Sequence, residues 1–229
     1  MQRLLPVNES NGLTQQDFDF PDLTTGQTWV RGSFIVSLDG AIAGTEGRSG
    51  SLSTEADRVA FPLLRRACDA ILVGAGTVRA ERYHPSRFPM AVVSSSMDFP
   101  AELPLIEQRG PDSAPLVFLT TNEQAAQTTL SKPGLEVVGC GTHAIDLGRA
   151  LADLSSRGWH RIHCEGGAGL LGSLLEVGLL DEIVLTVSPM LIGGGPHLVG
   201  LPGFGPVALD MTQVIEVDGT VFLRAVVQH

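Results

Sequence analysis

Positive charge is scarce in this chain of 229 residues: 15 Lys and Arg stand against 25 Asp and Glu, for a formal net charge of −10. A chain with that balance is repelled by phosphate backbones and anionic lipid surfaces, which argues against nucleic acid or a membrane as partner. No run of about 18 uncharged apolar residues occurs, so no spanning helix is expected. The amino-terminal segment lacks the apolar core of roughly seven to fifteen residues that a secretory signal needs, and export is not expected. Cysteine is equally sparse. Cys68, Cys140 and Cys164 are odd in number, far apart and set in apolar surroundings, which predicts free thiols in a reducing cytoplasm, with no disulfide and no zinc site. HExxH, CxxC and GxSxG are missing, which removes the readily recognised metalloprotease, zinc and serine-hydrolase patterns. No GKS or GKT occurs, nor a six-residue dinucleotide fingerprint with an acid about 20 residues on, so neither common nucleotide fold gains support. The 27 glycines and 14 prolines fall short of the roughly 25–30% that marks low-complexity chains, while 43% of residues are hydrophobic and 17% charged. The chain is globular.

What is present is an alternation of short apolar runs with helical patterns. Residues 1–27 show no sustained periodicity and read as an arm ahead of a single domain over 28–229. Residues 29–36 are β-branched and aromatic and lead to an Asp39-Gly40 turn, the pattern of a strand entering a loop. Ser53 or Thr54 can cap a helix whose first turn holds Glu55 and Asp57. Pro62 removes a hydrogen bond inside that helix, so a bend or restart near Phe61 is expected. Apolar runs at 70–73, 90–93 and 116–119, with strand-like segments at 135–138 and 160–164, predict strands buried between helices. Helices are predicted near 122–130, 144–156 and 167–177, and a long connection over 96–114. Strands at 183–187, 214–217 and 221–227 then follow without helices, the last two joined by a tight Asp218-Gly219 hairpin. The fold class is therefore α/β, with a mostly parallel central sheet flanked by helices and antiparallel C-terminal strands.

Ligands of open α/β sheets collect at the carboxyl ends of the strands. Two glycine-rich loops fall there. Val73-Gly74-Ala75-Gly76-Thr77 allows close backbone approach, with a hydroxyl at the start of a short helix. Glu165-Gly166-Gly167-Ala168-Gly169 follows a strand and opens a helix, an arrangement suited to a phosphate or pyrophosphate, although either loop alone is often only a tight corner. Asp39 and Glu165 are the most suggestive ionisable residues, since both stand at strand ends. Each also has an ordinary reading, Asp39 as a turn residue and Glu165 as a backbone anchor. His163, inside a strand, reads as packed. Arg65 ends a helix, where the dipole favours a cation without any substrate, and Arg87 lies in a loop, free to bind an anion. Gly193-Gly194-Gly195-Pro196-His197 reads as a flexible turn.

Four segments, in order and at similar separations, now carry a resemblance: SLDGAIA at 37–43, STEADR at 53–58, LRRACDAILVGAGTVRAERYHPSR at 64–87 and HCEGGAGLLGSLLEVGLLDEIVLTVSPMLIGGG at 163–195. Over roughly residues 29–227 the chain resembles the reductase domain of the bifunctional riboflavin-biosynthesis deaminase/reductase family. The resemblance implies a dihydrofolate-reductase-like fold and reduction of 5-amino-6-(5-phosphoribosylamino)uracil by NADPH, opening the ribose to a ribityl chain. Such hydride transfer needs no metal, because the cofactor carries the reactive hydride and the protein supplies orientation and electrostatics. By resemblance Thr77 and Glu81, with Gly74 and Gly76, contact the cofactor, as do Ser94, Ser95 and Ser96. Gly166, Gly167, Ala168, Gly169, Leu170 and Leu171 match the pyrophosphate loop.

Ser49, Arg65 and Arg87 fall where the family holds substrate, the arginines matching its phosphate by charge and fork geometry. Glu165 matches a substrate-contacting acid, and Asp39 with Glu165 is expected to position the substrate or deliver a proton as hydride reaches the ribosyl carbon. A cytoplasmic homodimer is also implied. The chain departs from the family in three places. The family's ADDP reads Ala80-Glu81-Arg82-Tyr83, a family tryptophan two residues beyond Ser49 is Ser51, and TLAG reads Gly169-Leu170-Leu171-Gly172. The HxE and PCxxC signature of a zinc deaminase is missing, so only the reduction is expected. These departures leave open a related reductase acting on dihydrofolate or another pterin, or a cofactor-binding protein without catalysis.

Overall fold

Buried apolar runs set the architecture, and the computed structural model describes residues 12–100, 102–198 and 205–229. Strands Trp29–Ser37 (β1), Ala70–Gly74 (β2), Met90–Val93 (β3), Leu116–Thr120 (β4), Leu135–Gly139 (β5), Arg161–Cys164 (β6), Glu182–Ser188 (β7), Leu209–Val217 (β8) and Thr220–Val227 (β9) form one nine-stranded sheet. Its order is β5-β4-β3-β2-β6-β1-β7-β9-β8, parallel from β5 through β7 and antiparallel beyond. The helices are Glu55–Ala67 (α1), Ala75–Ala80 (α2), Pro104–Glu107 (α3), Asn122–Gln127 (α4), Leu147–Ser156 (α5) and Ala168–Glu176 (α6). Among the described residues no helix is long and apolar enough to cross a membrane.

Alternate side chains of a strand point to opposite faces, and both faces are covered. Ala70 and Leu72 of β2 pack with Ile162, with Leu154 of α5 and with Leu171 and Leu174 of α6. Ile71 and Val73 pack on the other side with Phe118, Val78 of α2 and Ile106 of α3. β4 is buried at every position, which is why it reads as an unbroken apolar run. On α1, Ala56, Ala60 and Leu64 recur at four-residue spacing and meet Phe18, Val184 and Phe222. Burial of Leu64 alone stabilises by roughly 1.5–3 kcal/mol.

Four sequence expectations change. α1 runs unbroken through Pro62, without the restart that the proline suggested. Pro62 and Arg58, whose carbonyl loses its helical donor, are both exposed, so water can satisfy that carbonyl while the 56/60/64 face stays packed. The connection over 96–114 contains α3, begun by Pro104 and buried through Leu103, Leu105 and Ile106. β8 starts at Leu209 rather than Val214, because an edge strand with exposed residues carries no apolar run. The segment read as an arm is pinned to the sheet from residue 15 onward. Residues Gln15–Phe18 make a 3-10 turn, Phe18 is buried edge-on against Phe222, and Arg31 and Arg224 both donate to the carbonyl of Asp19. Residues 1–11 of that segment lie outside the described residues.

The insertion of β6 between β2 and β1 matters most for function. It brings the loops leaving β1, β2 and β6 to one edge of the sheet, where open α/β sheets take ligands.

Candidate active site

After Cys164 the chain turns through Glu165, Gly166 and Gly167 into α6. The Glu165 N–H donates to the Leu72 carbonyl at 2.9 Å and the Gly74 N–H to the Gly166 carbonyl at 2.6 Å, which stitches the turn to β2. Glycine is required there. Gly166 has φ +84°, and a Cβ on it would lie 2.7 Å from the Phe34 ring; a Cβ on Gly167 would lie 2.8 Å from Thr77 Oγ1. At Gly76 and Gly169 an added Cβ would meet nothing within 4 Å, so bare backbone borders open volume. No side chain caps α6 among the described residues, and its first intrahelical bond is from Leu171 to Gly167. The N–H groups of Ala168, Gly169 and Leu170 are left for an anion.

Two cavities border the start of α6. One, of about 610 Å³, is bordered by Gly74, Ser95, Thr121, His143, Gly169 and Leu170. The other, of about 550 Å³, is bordered by Phe34, Asp57, Phe61, Thr77, Tyr83 and Glu165. The second cavity is bordered by Glu165, Gly167 and Ala168 and the first by Gly169 and Leu170 at the same helix start, whose bare N–H groups and glycine backbone fit a dinucleotide pyrophosphate.

Charge in the second cavity is organised around Glu165. Arg65, from the last turn of α1, donates through Nε and Nη2 to Oε1 and Oε2 at 2.6 and 2.7 Å, and the Tyr83 hydroxyl donates to Oε2 at 2.6 Å. The Glu165 side chain is 3% exposed. Burial pushes its carboxyl up, but the bonds and charge of Arg65, aided by His163 and Tyr83, hold it below the usual carboxylate range. Burial and the neighbouring carboxylate push the Tyr83 hydroxyl well above its usual range. His163 is fully buried behind this group, with Nε2 3.6 Å from Glu165 Oε1 and no hydrogen-bond partner for either ring nitrogen among the described residues. Burial brings its imidazole down to about 4.

The end of α2 aims Tyr83 inward. The Tyr83 N–H reaches back to the Val78 carbonyl and the Arg82 N–H to that of Arg79, with Arg82 at φ +50°. This is a Schellman ending, in which the residue after the left-handed position folds over the last turn. Tyr83 accordingly packs beside Val78.

The other sequence candidates divide. Gly76, Thr77, Glu81, Ser49, Gly167 and Ala168 border the second cavity, and Gly74, Ser95, Gly169 and Leu170 the first. Glu81 accepts from both the N–H and the hydroxyl of Ser49, at 2.8 and 3.0 Å, joining the expected cofactor acid to the expected substrate residue. Arg65 is committed to Glu165. Arg87 is exposed over the Phe88 ring and outside both cavity linings. Ser94 is buried and accepts from the Met97 N–H, and the Ser96 hydroxyl accepts from the Asp98 N–H. The Leu171 side chain belongs to the core.

Asp39 and Glu165, paired by sequence logic, are not brought together. The Asp39 carboxylate accepts from the Ser37 hydroxyl and from the N–H groups of Ile192 and Gly193, and these bonds bring it down to about 2. It anchors the turn before the glycine run. Two residues assigned no site role from sequence border the second cavity. Tyr83 is the single tyrosine of the chain, a signal that was available. Asp57, read as a helix-start charge, borders the second cavity and accepts from the Ser53 hydroxyl at 2.7 Å. Burial raises its carboxyl despite that bond.

A sheet of this order, with its ligand edge at a glycine turn bordered by two cavities, defines a protein of the dihydrofolate-reductase-like class. More narrowly, the chain belongs to the RibD C-terminal domain family, which matches residues 28–223. It is 36% identical over 169 residues to the 2,5-diamino-6-ribosylamino-4(3H)-pyrimidinone 5′-phosphate reductase of Methanothermobacter thermautotrophicus, covering 69% of this chain and 76% of that protein. It is 30% identical over 219 residues to the riboflavin biosynthesis protein RibD of Bacillus amyloliquefaciens, covering 89% of this chain but spanning only 58% of that protein's length. A solved pyrimidine reductase-like protein of Corynebacterium diphtheriae superposes with TM-score 0.78 at 24% identity, over 95% of this chain and all of that one.

Proposed function

We propose that residues 28–229 act as one reductase domain that uses NADPH to reduce 5-amino-6-(5-phosphoribosylamino)uracil, or its 2-amino precursor, to the ribitylamino product of riboflavin biosynthesis. The observation that carries this reading is the shared turn: Glu165, Gly167 and Ala168 border one cavity and Gly169 and Leu170 the other. A long ligand can thus lie across the helix start, with a substrate beside one of its ends. Membership of the family and the names of its relatives give the substrate class.

When bound, NADPH supplies the hydride for the ribosyl carbon. Ala168, Gly169 and Leu170 hold the pyrophosphate by backbone N–H groups, and Thr77 adds a hydroxyl at the second cavity. Phe34 and Phe61 give that cavity apolar walls against which a pyrimidine can pack. As hydride adds, the bond from that carbon to the ribose ring oxygen breaks, and the oxygen takes a proton. Glu165, ionised and held by three donors, is a poor proton source, and Asp39 is occupied by its own loop. We assign proton delivery to the Asp57 carboxyl, which borders the cavity and whose burial strengthens its hold on a proton.

The reading places the enzyme in the cytoplasm, with a small phosphorylated pyrimidine as partner rather than nucleic acid or membrane. It is a homodimer, for which the exposed Leu209, Met211 and Val214 of edge strand β8 offer an apolar strip. Light scattering on a size-exclusion column gives the mass directly. The decisive assay follows absorbance at 340 nm with NADPH or NADH and either pyrimidine phosphate, with dihydrofolate in parallel. Turnover of a pyrimidine phosphate is the expected result; reduction of dihydrofolate alone, or cofactor binding without any turnover, would overturn it.

A further inference from the structure

Glu165 stands where a substrate-contacting acid is expected, yet three of its roughly four acceptor positions are already taken. Arg65 covers one edge of the carboxylate with two bonds, and Tyr83 covers Oε2. Both residues border the cavity, but only 3% of the Glu165 side chain is exposed. A tyrosine hydroxyl has one proton, and an ionised carboxylate only accepts, so the Tyr83 proton is committed to Glu165. The oxygen of Tyr83 is left with acceptor capacity alone. Among the polar groups that border this cavity, Tyr83 therefore offers an acceptor backed by negative charge.

We propose that Tyr83 is a substrate-contacting specificity residue, whose oxygen accepts a hydrogen bond from an N–H of the pyrimidine ring while Glu165 and Arg65 fix its direction. This rests on the pyrimidine reductase reading and says which edge of the ring is recognised. A carbonyl placed against Tyr83 would oppose lone pair to lone pair and is rejected. The 4(3H)-pyrimidinone named for the relatives and the uracil both carry an N3–H, so the contact serves either ring. The Schellman ending of α2 sets the ring position, and the left-handed Arg82 is the backbone feature that permits it.

The test pairs the wild-type protein and Tyr83→Phe with 5,6-diaminouracil and its 1-methyl and 3-methyl derivatives as competitive inhibitors, alongside steady-state turnover. The expected result is a KM increase of about three- to tenfold in Tyr83→Phe with kcat nearly unchanged, the size of one neutral hydrogen bond. The 3-methyl derivative, which lacks the N3–H, should inhibit the wild type more weakly than the parent and the 1-methyl derivative, and Tyr83→Phe should lose that discrimination. A merely structural role for Tyr83 predicts an equal loss for every inhibitor and a changed kcat, and that pattern would overturn the proposal. If the wild type turns over the phosphate substrate but Tyr83→Phe keeps its KM, the Tyr83 contact fails while the reductase reading stands. If the wild type neither turns over nor binds any uracil, both fall.

Discussion

His163 offers a measurement of how the buried centre was assembled. Its imidazole is fully buried, lacks a partner among the described residues and titrates at about 4, against an ordinary 6.5. Between those values the unfolded chain carries a proton on this residue and the folded chain does not. Unfolding free energy should therefore fall as pH drops from 6.5 toward 4, and the contribution should be constant outside that window. At about 1.4 kcal/mol per tenfold change in proton affinity, the fall is about 3 kcal/mol. Asp57 and Asp181, both raised by burial, tilt the curve the opposite way, so the comparison must be with a variant rather than with a flat line. His163→Leu keeps the volume and removes both unpaired nitrogens. Urea unfolding followed by Trp29 and Trp159 fluorescence, in half-unit pH steps, should show the variant gaining on the wild type by about 3 kcal/mol across the window. Parallel curves, with a difference independent of pH, would refute the reasoning.

In steady-state kinetics, the wild-type kcat/KM should decline as pH rises through the raised value of Asp57, since the protonated acid is the active form; Asp57→Asn should lower kcat by roughly 10²–10⁴-fold and abolish that limb, with cofactor fluorescence titrations unchanged. Glu182→Gln takes the charge partner from Arg31, which is fully buried, and from Arg224; it should cost about 3–5 kcal/mol by thermal unfolding and open residues 15–18 to limited proteolysis. Arg82→Gly relieves a left-handed arginine in the Schellman ending and should stabilise by about 0.5–1 kcal/mol in urea, without changing KM.

How far the sequence could be read follows from where each signal originates. A strand covered on both faces must be apolar throughout, so β2 and β4 announce themselves, and a turn in which a Cβ would strike Phe34 or Thr77 must be glycine, so the Gly166 and Gly167 turn does too. β8 has neither constraint, being an exposed edge, and half of it was invisible. α3 was hidden because Pro104 reads as a loop residue unless one knows that Leu103, Leu105 and Ile106 are buried.

The charged centre was harder still, because no local constraint specifies it. Arg65 meets Glu165 across 100 residues of chain and Tyr83 meets it across 82, and these contacts exist only because β6 is inserted beside β2. Before that insertion is known, a cation at a helix end and an acid in its first turn are both adequately explained by the helix dipole. The dipole accounts for Arg65 and Asp57 equally well whether or not they face a ligand. Strand-end position likewise treats Asp39 and Glu165 alike, although one is bound to loop N–H groups and the other to an arginine and a tyrosine. What separates a turn anchor from a functional acid is the partner that the topology delivers. For the same reason Tyr83, which the sequence showed only as a departure from ADDP, becomes the side chain that an incoming ring would meet.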